Sequence, residues 1–270
     1  MKATHTLLAE HITSGYEHKT ILEDVSIAIP SNKISIIIGA NGCGKSTLLK
    51  TMARLIKPTD GQAVLDGKSI HQMPPKQLAR VLGLLPQSPV VPEGITVADL
   101  VGRGRFPHQT LFKGWSKQDY EAVAEALEMM KITEFADRNI DELSGGQRQR
   151  VWIAMALAQQ TDILFLDEPT TFLDITYQVE ILDLLTELNL KYGTTIVMVL
   201  HDINLSARYA DYLFALKNGR LLAEGVPKEI VTSELIKETF DLESTVIEDP
   251  VSKTPLIVPI GRYHSENAIY

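Results

Sequence analysis

Two glycine-bearing segments and one pair of adjacent carboxylates are the residues of this sequence whose types and spacing can do chemistry. Gly39-Ala40-Asn41-Gly42-Cys43-Gly44-Lys45-Ser46, followed by Thr47, has the spacing of a phosphate-binding loop, in which backbone N–H groups wrap an oxyanion at the start of the next helix. Lys45 then supplies a point charge for β and γ phosphates, and the Ser46 hydroxyl suits a magnesium shell. Asp167 and Glu168 follow Ile163, Leu164, Phe165 and Leu166, which sets both carboxylates at the C-terminal end of a buried strand, where open α/β sheets bind their ligands. There Asp167 suits Mg2+, and Glu168 suits a general base that polarises water for attack on a γ phosphate. Leu143-Ser144-Gly145-Gly146-Gln147 leads into a helix, and offers either a second anion site of backbone N–H groups and a hydroxyl or a simple helix cap. The loop by itself points to a nucleoside triphosphate and leaves kinases, GTPases, helicases and transport ATPases open.

The local period of the sequence supplies the elements that must position these groups. Residues 21–30 alternate as an exposed strand does, whereas 33–39 form a continuous apolar run, expected of a strand covered on both faces. Residues 47–56 have helical spacing and stop before Pro58; 62–70, with Asp66-Gly67, read as a hairpin. A short helix over 74–81 and a strand over 82–86 lead to Gln87. From there to about residue 160 the pattern is helical, with segments at 97–101, 117–130 and 147–160. Buried strands at 162–166 and 194–200 flank a helix over 175–191, and Asn218-Gly219 marks a hairpin within 212–225, before two short helices. The alternation predicts an α/β fold with a mainly parallel core sheet, an antiparallel β edge and a helical insertion.

At 270 residues, with 44% hydrophobic and 22% charged, the chain has an ordinary globular composition and general disorder is excluded. A net charge of −8 repels phosphodiester backbones and anionic lipid, so no nucleic acid partner is expected. The longest apolar runs are strand-sized, and Glu10, His11 and Glu17 interrupt any leader-like apolar core. One cysteine forms no internal disulfide, which fits a reducing compartment; a membrane role is expected only through a partner.

In combination these segments resemble the ATP-binding cassette (ABC) family of ATPases, over about residues 7–239. They match its Walker A loop (39–47), Q-loop glutamine Gln87, LSGGQ signature (143–147), Walker B carboxylates Asp167 and Glu168, D-loop aspartate Asp174 and switch histidine His201, in the family's order. The resemblance implies a P-loop NTPase domain over 1–240, with a helical subdomain at about 88–160, and a tail over 241–270 in which alternation around 256–260 permits a strand packed on the core. ATP and Mg2+ are the implied cofactors. Also implied is a head-to-tail homodimer, in which each phosphate loop faces the partner's signature and Ser144 and Gly146 meet the γ phosphate. Gln87 would sense magnesium and the attacking water, His201 the γ phosphate, and Tyr16 would stack on adenine. Gly145, Gln147 and Asp174 complete the implied nucleotide contacts. Ala40 and Cys43 stand where many relatives carry proline and serine, at positions that the loop pattern leaves variable. A helix N-terminus is expected to lower the Cys43 thiol pKa and make it reactive, with protection by ATP.

A single cassette without a spanning segment is similar to the separate ATP-binding subunit of a bacterial importer. Thr170-Thr171-Phe172-Leu173-Asp174, the run Gly102-Arg103-Gly104-Arg105-Phe106-Pro107-His108, Leu200-His201-Asp202-Ile203-Asn204 and Ala207-Arg208-Tyr209-Ala210-Asp211 are similar to the subfamily serving iron–siderophore uptake. Haem and vitamin B12 importers stand as alternatives, and a soluble ABC ATPase as a more remote one. The implied partners are an integral membrane permease and, indirectly, an external substrate-binding protein. The implied location is the cytoplasmic face of the membrane, with residues 94–112 as the candidate docking surface.

Overall fold

In the computed structural model, which describes residues 4–17, 19–87, 93–109, 114–171 and 173–261, the continuous apolar runs become the middle of a six-stranded sheet. The chain opens with β1 (Leu7–Tyr16) and β2 (Lys19–Ile29), enters the core as β3 (Ile34–Ile38) and leaves the phosphate loop as helix α1 (Lys45–Met52). Then come β4 (Asp60–Leu65), β5 (Lys68–Ser69), α2 (Pro75–Val81) and β6 (Leu82–Leu85). Helices α3 (Val97–Gly102), α4 (Lys117–Met129) and α5 (Gly145–Ala158) precede β7 (Ile163–Asp167), α6 (Ile175–Tyr192), β8 (Thr195–Val199) and α7 (Ile203–Tyr209). The chain finishes with β9 (Tyr212–Lys217), β10 (Arg220–Gly225), α8 (Pro227–Ile230), α9 (Ser233–Phe240), β11 (Ser244–Glu248) and β12 (Pro255–Pro259).

The large sheet has the order β10-β9-β3-β8-β7-β6; all neighbours are parallel except β10, which runs antiparallel at one edge. Every residue of β3, β7 and β8 is buried, and successive residues feed opposite layers. Leu164 and Leu166 join Val97, Leu100, Val123 and Ile153 of the helical insertion. Ile163 and Phe165 join Leu48 and Leu49 of α1 and Leu22 and Val25 of a second, antiparallel sheet, ordered β2-β1-β4-β5. Because β3, β7 and β8 are parallel, their carboxyl ends share one edge, and residues 39, 168 and 201 lie just beyond it. This is the α/β architecture expected, with a mainly parallel core, an antiparallel β edge and a helical insertion.

Two local features differ from the sequence pattern, and the tail agrees with it. β1 was not legible as a strand because its alternation breaks: the register shifts between Ala9 and Ile12, and His11 takes a φ of 51°. α5 begins at Gly145 rather than near Gln147, because Ser144 caps it. In the tail, β11 pairs with β12 as a hairpin whose Ile257 is 2% exposed and belongs to the core cluster. Phe172, residues 110–112 of the candidate docking segment and residues 262–270 of the tail lie outside the described residues.

Candidate nucleotide-binding site

The loop between β3 and α1 can take its path only with glycine at two positions. Gly39 has φ 149°, and a Cβ there would lie 2.3 Å from the Leu216 carbonyl oxygen; Gly44 has φ 110°, and a Cβ would lie 2.7 Å from Leu22 Cδ2. Gly44 is also the N-cap of α1, so that helix starts with no side-chain cap and no acidic residue in its first turn. The first N–H groups of α1 are thereby left to an anion. Lys45 is buried under the loop, its Nζ donating to the Gly39 and Ala40 carbonyls at 2.8 and 3.1 Å.

Ser46 Oγ donates to Asp167 Oδ1 at 2.7 Å, joining the start of α1 to the end of β7. Asp167 is 1% exposed, and its second oxygen, Oδ2, has no hydrogen-bond partner among the described residues, with Lys50 Nζ 3.8 Å away. Burial pushes the Asp167 carboxyl up from its ordinary pKa, against the hydrogen bond from Ser46 and the charge of Lys50. An orphaned carboxylate oxygen beside a hydroxyl is a donor set that a hard divalent cation fits.

Glu168 follows with φ 55°, a left-handed conformation that is uncommon for a non-glycine residue and costs of order 1 kcal/mol. Its carboxylate collects groups from three strand ends. Gln87, after β6, donates from Nε2 to Oε2 at 2.5 Å; Thr171 Oγ1 donates to the same oxygen at 3.0 Å; His201 Nε2, after β8, lies 2.8 Å from Oε1. Gln87, Glu168, Thr171 and His201, with Asn41, Gly42, Gly44, Lys45, Ser46 and Thr47, line an open cleft of about 520 Å³, a volume in the range of small-molecule sites. Tyr16, 49% exposed at the end of β1, and Ile21 form its outer wall.

The signature lies elsewhere. Ser144 Oγ accepts from Gln147 N at 3.3 Å and Gln147 Oε1 accepts from Ser144 N at 2.9 Å, a closed capping box at the start of α5. Ser144 and Gly145 are exposed, and Gly146 is covered by the Tyr177 ring of α6. Asp174 caps α6, its Oδ1 accepting from Tyr177 N at 3.1 Å. None of Ser144, Gly145, Gly146, Gln147 and Asp174 lines the cleft. The structure therefore gathers Asn41, Gly42, Gly44, Lys45, Ser46, Thr47, Tyr16, Gln87, Glu168 and His201 on one cleft, sets Asp167 against Ser46, and leaves Gly39, Ala40, Cys43, the signature and Asp174 off its lining.

Cys43 departs from expectation. Its side chain is buried in the cluster with Leu48 and Ile37, and burial pushes the thiol pKa up despite the opposing charge of Lys45. Two site residues escaped the sequence reading. Thr171 stands three positions after Glu168, and Lys50 follows Ser46 by one helical turn on the same face of α1, spacings that carry a signal only once the ends of β7 and α1 are known to meet.

Similarity to known proteins converges on the same elements. The profile of the family described as "ABC transporter" matches residues 22–171. The chain is 52% identical over 256 residues (95% of this chain, 94% of the relative) to the ferric enterobactin transport ATP-binding protein of Escherichia coli (strain K12). It is 47% identical over 265 residues (98% of each) to the iron(3+)-hydroxamate import ATP-binding protein of Bacillus subtilis (strain 168). Among solved structures, a dimeric ATP-binding cassette in a post-hydrolysis state, bound to ADP and Pi, superposes with a TM-score of 0.72 at 29% identity, covering 82% of this chain and 98% of that one.

Proposed function

Because this chain belongs to the ABC transporter family, we propose that it is the ATP-binding and hydrolysing subunit that powers import of ferric siderophores through a membrane permease. The observation that carries the chemistry is the convergence of Lys45, Ser46 and Glu168 on one cleft at the carboxyl edge of the sheet, with Asp167 held against Ser46 behind it. The substrate class rests on near full-length similarity to relatives named for ferric enterobactin and iron(3+)-hydroxamate. Haem and vitamin B12 are not favoured.

In this reading the N–H groups of residues 42–47 and the Lys45 ammonium hold the β and γ phosphates, Lys45 exchanging its two carbonyl partners for phosphate oxygens. Tyr16 stacks on the adenine. Ser46 Oγ and Asp167 Oδ2 would hold Mg2+, which when bound neutralises charge on the phosphate oxygens. Glu168 accepts a proton from the attacking water, while Gln87 and His201, already touching its two oxygens, fix its rotamer and the water's approach. Ser144 and Gly146, exposed and covered respectively and both off the lining of their own cleft, serve the γ phosphate of a second copy in this reading, together with Gly145, Gln147 and Asp174; that the similar cassette is a dimer supports pairing of two copies.

No helix among the described residues is long and apolar enough to cross a membrane, so attachment to its cytoplasmic face is assigned to the permease subunits. Residues 94–109 of the helical insertion, with Phe106 exposed, are the docking surface of this reading. The test is ATPase activity of the chain co-purified with its permease in lipid, with external binding proteins added. Stimulation by a ferric-siderophore-loaded binding protein supports the assignment. Stimulation only by a haem- or cobalamin-loaded one, or by none, overturns it.

A further inference from the structure

The C-terminal hairpin grips the helix that follows the switch histidine. Asn204, three residues after His201, donates from Nδ2 to the Ile257 carbonyl at 3.1 Å and accepts the Ile257 N–H at Oδ1 at 2.7 Å. Its side-chain amide thus pairs with β12 as a neighbouring strand would. One turn further along α7, Arg208 pairs with the nearly buried Asp249. Asp249 also accepts Val251 N at 2.8 Å and Ser252 N at 3.3 Å, so this ion pair ties α7 to the turn of the hairpin. At its far end α7 is anchored separately, Tyr209 Oη donating to Asp183 Oδ1 at 2.8 Å.

The near end of α7 begins at Asp202, whose Oδ1 caps Leu205 N at 2.8 Å, so His201 is joined to α7 by a single capped residue. The imidazole itself is 45% exposed, and packing alone does not fix it against Glu168. We propose that Asn204 and Arg208 are positioning residues, through which the β11–β12 hairpin holds α7 and thereby keeps His201 Nε2 on the Glu168 carboxylate. This rests on the assignment of His201 to hydrolysis made above, and adds to it a role for a tail that lies outside the family profile, which ends at residue 171.

The experiment compares Asn204→Asp with the native chain, in the permease complex, in both the native and the His201→Ala backgrounds. Aspartate keeps the size of asparagine and can accept the Ile257 N–H, but cannot donate to the Ile257 carbonyl. The expected result is a fall in kcat of about tenfold with ATP affinity unchanged within about twofold, and no further fall when His201 is already alanine. An equal fall in both backgrounds, or none in either, overturns the proposal and leaves the transport assignment standing. Native turnover in His201→Ala alone removes both the histidine's role and this proposal. Should Asn204→Asp prove unstable, Arg208→Lys, which keeps the charge, and Arg208→Ala give the same reading: the alanine variant is expected to lose more turnover, and equal turnover in both contradicts the proposal. The His201 ring resonance in proton NMR adds a direct signature: it is expected to move in Asn204→Asp while that of His71 does not, and an unmoved His201 line overturns the proposal.

Discussion

The two glycine-bearing helix starts of this chain are built from the same backbone groups and finished in opposite ways. α1 opens without a side-chain cap, on a loop whose glycines take left-handed angles, and it faces a cleft that already contains Glu168, Gln87 and His201. α5 opens on a closed and exposed Ser144–Gln147 capping box that does not line that cleft. A helix start with no cap of its own is a standing anion site; a capped one surrenders its N–H groups only to a ligand that outcompetes a cap worth about 1 kcal/mol. On the function proposed above, the difference divides the labour: the first region is a nearly complete half-site, and the second is what the chain contributes to the nucleotide of a second copy.

Substitutions should separate the two regions sharply. The largest effects are expected in the cleft. Lys45→Ala should remove ATP binding measured by nucleotide titration, whereas Glu168→Gln should keep binding and lower phosphate release by about 1000-fold, the scale of losing a general base. Normal turnover in Glu168→Gln would remove it as the base. In the signature, Ser144→Arg should lower hydrolysis about 100-fold, as for loss of one oxyanion donor, yet leave ATP affinity of the isolated chain within twofold. Loss of that affinity would mean that the signature serves its own cleft.

Smaller effects sharpen the contrast from the stability side. Gln147→Ala removes half of the capping box and should cost about 0.5–1 kcal/mol, read as a fall in Tm of about 1–4 °C, with ATP affinity unchanged. The smallest effect lies outside both regions. His5 bridges Asp66 and Asp162; burial lowers its pKa, but the two carboxylates outweigh it and hold the imidazole above 6.5. A folded pKa above the unfolded one gives stability that is fully present below about pH 6.5 and is lost as pH rises through the folded value. Half-exposed Asp66 keeps this contribution below about 1 kcal/mol. His5→Gln should flatten the decline in Tm between pH 6 and 8 without altering nucleotide affinity.

Much of this was legible in the residues, and the failures have causes. β3, β7 and β8 could be read because strands buried on both faces are continuous apolar runs, and the helices because α4 and α6 keep their apolar stripe in phase. β1 escaped because a bulge at His11 resets its alternation. Cys43 misled: the start of a helix argues for a lowered thiol pKa, but the loop turns Sγ into the core beneath Gly39, and desolvation wins. Spacing cannot reveal that Gln87, Thr171 and His201 meet on one carboxylate, since they follow different strands, and their contact depends on the order in which β6, β7 and β8 pair. Asn204 is a further case, its partner Ile257 lying 53 positions away in a hairpin with only five-residue strands.

The central claim, that one chain supplies the loop and another the signature, is tested most directly by mixing two inactive variants. Lys45→Ala has a spoiled loop and an intact signature, and Ser144→Arg has the reverse, so neither alone can assemble a complete site. A mixed pair contains one complete site, and ATP hydrolysis is expected to return on mixing, to about a quarter of the native rate if pairing is random and sites act independently. A mixture as inactive as its components, with both variants folded and Ser144→Arg still binding ATP, would contradict the account.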